Sequence, residues 1–159
     1  MKIKPLLIAA ALAAGLFWWK GGADLKLPDW LKPTPDVVVP AVPAPSAELQ
    51  ATVAPVKAAV AHGTPQDRAW LASLYRDFAA VLAADTKGDI ASTAQVRTAY
   101  ERSLTLMLNK QGFAGKFPAL PTAVEAVMKT TLGETPKQLD ASLRTKAVSM
   151  FEALSWACS

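Results

Sequence analysis

The sequence predicts an all-α protein with an N-terminal membrane-spanning or signal-anchor helix, a proline-rich linker and a small bundle of about four to five helices. Three observations support this fold class. An uncharged run, Leu6–Trp19, follows two lysines, prolines crowd residues 33–45, and beyond residue 45 apolar residues recur three and four positions apart. That last spacing marks one face of an α-helix, and no segment of the sequence shows the sustained alternation expected of a strand.

Residues 1–23 have the charge pattern of a segment inserted into a bilayer with its N-terminus in the cytoplasm. Positive residues come first, an apolar run follows, and an aromatic pair with a lysine ends the segment in a composition suited to the headgroup layer. The residues expected at the membrane interface are Lys2, Lys4, Trp18, Trp19 and Lys20. Residues 3–20 are then expected to contact the inner membrane, with the C-terminal domain in the periplasm.

Two interpretations of this segment stay open. At ~1.5 Å per residue the apolar run spans roughly 20 Å, less than a ~30 Å hydrocarbon core. As an uncleaved anchor, the segment is lengthened by the lysines, whose charged ends reach towards the headgroups. As a signal peptide, the small residues Gly21–Ala23 place cleavage after Ala23 and give a secreted or periplasmic protein. A location in a virion is a further alternative.

Residues 24–45 are expected to form an extended linker. Pro33, Pro35, Pro40, Pro43 and Pro45 fall in its last thirteen residues. Each proline ring fixes φ, removes a hydrogen-bond donor and favours extended geometry in the residue before it, which excludes a helix. The segment therefore predicts a semi-rigid polyproline II spacer.

Residues 46–159 are expected to form the helical domain, with its core in residues 62–159. The first helical stretch, Ser46–Ala61, contains Pro55, which either kinks one helix or starts a second one. Whether this stretch joins the core is left open by the sequence. In residues 62–159, four main helices are indicated by their start signals, which are Thr64-Pro65, Ser92 with Gln95, Pro121, and Asp140.

The connection between the second and third of these helices is the candidate contact surface for a partner. The segment Gly112–Pro121 contains Phe113 and Phe117, two large apolar rings in a glycine-containing loop. Such rings either pin the loop onto the core or face a partner protein. Phe113 and Phe117 are therefore the candidate partner-contact residues.

The sequence offers few groups for catalysis or metal binding. His62 is the only histidine and Cys158 the only cysteine, so sites that need His or Cys ligands in pairs are not indicated. His62 is interpreted as a helix C-terminal residue near free carbonyls. The net charge of +4 is spread thinly, and no basic stripe with aromatic residues predicts nucleic-acid binding. No cofactor, no metal and no catalytic residue are expected.

The short alanine- and glycine-rich segment at residues 1–23 resembles the signal-anchor-release endolysins of phages. The resemblance implies a cell-wall hydrolase that acts after the segment leaves the membrane. In that family a catalytic Glu is followed by Asp or Cys and then Thr at short spacings. Here Glu48 is the first acid beyond the linker, and Lys57 stands at the next position of the pattern.

The sequence therefore favours a non-enzymatic envelope or virion protein that presents a small helical domain on a proline-rich stalk and binds a protein partner. The alternatives are the phage cell-wall hydrolase and a secreted periplasmic module that binds a ligand. Oligomer formation is compatible with all three.

Overall fold

The computed structural model describes residues 42–110 and 115–159, and the side chains of all of these except 106–110. Across these two ranges the chain forms five helices and no strands, which confirms the predicted small all-α bundle. The helices are α1 (Ala47–Val60), α2 (Pro65–Ala84), α3 (Thr93–Lys110), α4 (Leu120–Leu132) and α5 (Ala141–Cys158). The segment predicted to meet the membrane and nearly all of the linker lie outside the described residues. Of the helices that are described, none combines the length and apolar character needed to cross a bilayer.

Three of the four predicted helix starts are confirmed by capping hydrogen bonds, and α4 begins at Leu120, next to the predicted Pro121, without a side-chain cap. Thr64 and Asp67 form a reciprocal capping box at the start of α2, with Pro65 in the first turn. The Gln95 side chain accepts from the Ser92 N–H, and the Ser92 hydroxyl accepts from the Gln95 N–H, at the start of α3. Asp140 accepts from the Leu143 N–H and begins α5. These bonds satisfy N–H groups that a helix terminus would otherwise leave without partners.

Helix α5 is the centre of the bundle, and α1, α2 and α4 all pack against it. Small residues on α5 allow this close approach: Ala147, Ala153 and Ser155 are fully buried. Helix α2 runs antiparallel to α5. Ser155 donates to the Ala72 carbonyl near one end at 2.7 Å, and Arg144 donates to the Asp85 carboxylate near the other end at 2.8 Å.

Helix α1 belongs to the core, so the core is wider than the predicted residues 62–159. Val53, Val56 and Val60 are buried completely or nearly so, and α1 packs on both α4 and α5. Pro55 lies inside one continuous helix and starts no second one. The Lys57 ammonium also lies 4.6 Å from the centre of the half-buried Trp156 ring on α5.

The Thr135-Pro136 pair repeats the residue types of the Thr64-Pro65 start of α2, yet the segment before α5 forms no helix of its own. Residues 137–139 instead pair with residues 91–93 in a short antiparallel bridge. The Thr93 N–H donates to the Lys137 carbonyl at 2.9 Å, and the Leu139 N–H donates to the Ala91 carbonyl at 2.8 Å. The backbone groups of this segment are thus paired across the chain and not within a turn.

Candidate functional site

Of the two predicted partner-contact residues, the structure describes Phe117, which lies in the core. Its ring is 2% exposed, so it anchors the loop from inside and offers no open surface to a partner. Phe113 lies outside the described residues, as do the predicted interface residues Lys2, Lys4, Trp18, Trp19 and Lys20. The part of the predicted contact loop that can be examined is therefore residues 115–121.

Residues 115–121 are held against the junction of α1 and α2 by a group of side chains that we call the clasp. The clasp consists of His62, Gly63, Asp67, Lys116 and Phe117. The His62 ring lies 5.2 Å from the Phe117 ring, centre to centre, and its Nε2 donates to the Lys116 carbonyl. His62 therefore donates to a carbonyl that is far away in the sequence. The sequence had predicted an interaction with the free carbonyls at the end of its own helix.

Gly63 is the residue that lets Phe117 enter the junction. A Cβ atom at this position would lie 2.7 Å from Cζ and 2.8 Å from Cε1 of the Phe117 ring. Real carbon atoms do not approach that closely, so any side chain at position 63 would displace the ring. The glycine is needed for this close approach and not for an unusual backbone angle.

The clasp also contains an ion pair between the exposed Lys116 and the buried Asp67. The Lys116 ammonium lies 2.6 Å from the Asp67 carboxylate, whose side chain is 9% exposed. Burial alone would raise the pKa of Asp67, but the hydrogen bonds from Lys116 and from Thr64 outweigh it and hold that pKa below its usual value. Asp67 stays ionised and joins the loop to the first turn of α2.

The residues around this anchor are exposed. We define the loop surface as Gly115, Pro118, Ala119 and Pro121, all of which are exposed to solvent. Two of the four are prolines, whose backbone freedom is already small. The structure thus presents an exposed, mostly apolar segment whose position is fixed by a ring, an ion pair and a hydrogen bond.

A shallow groove of about 220 Å³ lies at the other end of α4. Its lining residues are Thr93, Ala94, Arg97, Thr98, Glu101, Glu134 and Pro136. The first five come from the N-terminal half of α3, and the last two come from the segment after α4. Arg97 closes one side by donating to the Gly133 carbonyl.

The other buried titratable groups have pKa values that follow from burial and from hydrogen bonds within the bundle. Burial would raise the pKa of Asp85, but the N–H groups of Ile90 and Asp89, together with Arg144, lower it below its usual value. The Tyr75 and Tyr100 hydroxyls bond each other at 3.0 Å, and burial raises the pKa of both. Burial also raises the pKa of the Cys158 thiol to about 12, which keeps it protonated and weakly nucleophilic.

Sequence reasoning found the loop but missed the groove and Gly63. Thr64 and Asp67 carry a readable signal, because the capping box that they form depends on residues three positions apart. The contact between Gly63 and Phe117 joins residues far apart in the chain, and no local pattern reports it. In residues 42–110 and 115–159, no group of three or more His, Cys, Asp or Glu side chains is arranged to hold a metal ion.

The chain was compared with profiles of protein families, with curated proteins and with solved structures, and none of the three comparisons gives a match.

Proposed function

We propose that this chain is a non-enzymatic, membrane-anchored interaction protein of a bacterial envelope or of a virion. The apolar segment at residues 1–23 anchors it, the proline-rich residues 24–45 act as a stalk, and the helical domain contacts a protein partner through the loop surface. The observation that carries the proposal is the clasp, which fixes an exposed apolar loop in one position.

A fixed loop favours binding because the cost of ordering it has been met before the partner arrives. Each flexible side chain or loop segment that is immobilised on association lowers affinity, and preorganisation removes part of that cost. Pro118, Ala119 and Pro121 have no polar side-chain atoms, so their burial under a partner leaves no side-chain donor or acceptor without a bond. The loop surface is suited to contact with an apolar patch on another protein.

Many of the buried polar groups of the domain are used to hold helices together. Asp67, Asp85, Arg144 and Ser155 all make hydrogen bonds or ion pairs within the bundle. Their arrangement supports a rigid scaffold for the loop surface. The groove beside α3 favours the second candidate function, a periplasmic module that binds a small ligand.

Site-specific photo-crosslinking tests the contact. A benzoylphenylalanine at Ala119 of the full-length protein, expressed in its own cell or virion, is expected to give one discrete adduct with a second protein. The matched control places the same group at Ala83, an exposed residue of α2. Mass spectrometry then identifies the partner. The same adducts from both positions, or no adduct from position 119, would contradict the proposal.

Reporter fusions test the anchored topology separately. Alkaline phosphatase joined after residue 159 is expected to be active, because the positive charges of residues 2 and 4 hold the N-terminus inside. Intact-mass measurement of the membrane fraction should give the uncleaved chain. Mature protein that begins at Asp24 in the soluble fraction would show that residues 1–23 are a cleaved signal peptide and not an anchor.

A further inference from the structure

The residues that lead into α1 are fixed to its first turn. The Gln50 side chain donates to the Pro45 carbonyl at 2.8 Å, and the Ser46 hydroxyl accepts from the Leu49 N–H at 3.4 Å. Val42 and Pro45 are half-buried. The chain therefore enters the helical domain at a defined point, which is the N-terminal end of α1.

The loop surface lies at the other end of α1. His62, which follows the last turn of α1, donates to the Lys116 carbonyl, and the Phe117 ring packs against Gly63. Helix α1 has 14 residues, so at ~1.5 Å per residue it is about 21 Å long. The point where the chain enters the domain is thus separated from the loop surface by the full length of α1.

The linker is expected to add to this separation. At ~3.1 Å per residue, residues 24–41 in the predicted polyproline II conformation span roughly 55 Å. A proline-rich chain of this kind is a semi-rigid spacer, whereas a glycine-rich chain would fold back on itself. Because the linker joins the domain at the start of α1, the exposed Pro118, Ala119 and Pro121 lie at the end of the domain that is remote from the linker.

We propose that the partner is a protein fixed in a layer of the envelope or virion at a distance from the anchoring membrane, and not a second protein of that membrane. This inference rests on the proposed function, in which residues 1–23 are the anchor and the loop surface is the contact. The linker and α1 together act as a spacer of roughly 75 Å. A tethered surface reaches a useful effective concentration at its target only when the tether spans the distance.

Removal of the linker tests the distance. The full-length chain with benzoylphenylalanine at Ala119 is compared with the same chain that lacks residues 24–41, and each adduct yield is divided by the amount of chain in the membrane fraction. The deletion is expected to lower the yield at least about fivefold, because the shortened tether no longer spans the distance. The matched control replaces residues 24–41 by an alternating alanine–proline sequence of the same length, which keeps the reach and should keep the native yield.

A crosslinker at the other end of α1 tests the direction. Benzoylphenylalanine at Ala47, an exposed residue in the first turn of α1, is expected to give no adduct with the protein that position 119 captures. The inference is overturned if the deletion keeps the native yield, if the alanine–proline control loses the adduct, or if position 47 captures the same protein. Absence of an adduct from position 119 in the native chain would instead contradict the proposed function, so the two failures are distinguishable.

Discussion

The two sides of α5 are built from different side chains. On the side of α1 and α4, every buried residue of those two helices is aliphatic or methionine. On the side of α2 and α3, the aromatic rings of Phe78, Tyr100 and Phe151 lie within 5.3–6.1 Å of one another. The hydrogen bond from Ser155 and the ion pair of Arg144 also lie on this second side.

This difference separates two ways of fixing a helix. The aliphatic side is held mainly by burial and shape, which are non-directional, together with the contact of the Lys57 ammonium with the Trp156 ring. The aromatic side is also held by directional bonds, so the register of α2 on α5 is specified. The clasp joins the two sides, since His62 follows α1, Lys116 precedes α4, and Asp67 belongs to α2.

The largest expected effect comes from removal of α1. Val53, Val56 and Val60 are each worth ~1.5–3 kcal/mol of burial, so their loss is on the order of 5 kcal/mol, comparable to a typical domain stability. A fragment of residues 62–159 is therefore expected to lose cooperative thermal unfolding in circular dichroism, whereas residues 42–159 keep it. Equal melting of the two fragments would show that the aromatic side is stable by itself.

Truncation of a central ring is expected to cost less than the loss of α1. Phe151 is fully buried and stacks on Phe78 at 5.3 Å, so Phe151→Ala should lower the free energy of unfolding by about 3–5 kcal/mol in urea titration. Phe78 is only partly buried, so Phe78→Ala should lower the free energy of unfolding by less. Val124→Ala on the aliphatic side provides the comparison, at about 1.5 kcal/mol. Equal losses at Phe151 and Val124 would remove the contrast between the two sides.

A methyl group at the clasp is expected to have an intermediate effect. Gly63→Ala puts a Cβ against the Phe117 ring, and overpacking of this kind costs about 1–3 kcal/mol in the free energy of unfolding. Gly88→Ala is the control, because its position has open space around it but a φ of +74°. The control should lose only about 1 kcal/mol from backbone strain. A neutral Gly63→Ala, measured by denaturant titration, would mean that Phe117 is not held at this junction.

The smallest expected effect is a decrease in the free energy of unfolding at acidic pH. Asp67 and Asp85 have pKa values below their usual value in the folded chain, so the unfolded chain takes up their protons first as pH falls. Their contribution is complete above about pH 4 and is lost as pH falls through the folded pKa values. The free energy of unfolding should therefore decrease below pH 4, and Asp85→Asn should flatten that dependence. If the pH dependence of the free energy of unfolding is unchanged in Asp85→Asn, groups other than Asp85 cause the loss of stability in acid.

The sequence predicted the helices of the aromatic side better than the place of α1. Leu71, Tyr75 and Leu82 contrast with polar neighbours, so their shared face is visible. In α1 the buried valines alternate with exposed alanines, which reduces the contrast between its two faces. Local signals such as the caps of Thr64 and Asp140 were predicted correctly because they depend on residues three positions apart. The clasp and the groove depend on distant residues and were not predictable in this way.

The central claim is that the partner binds a loop surface that the clasp holds in place. The most direct measurement compares the yield of the crosslinked adduct from position 119 in the otherwise native chain and in Gly63→Ala, with circular dichroism to verify that the bundle stays folded. We expect the yield to fall at least about fivefold in Gly63→Ala, as a preorganised contact loses ~1 kcal/mol or more. An equal yield in the folded variant would contradict the claim.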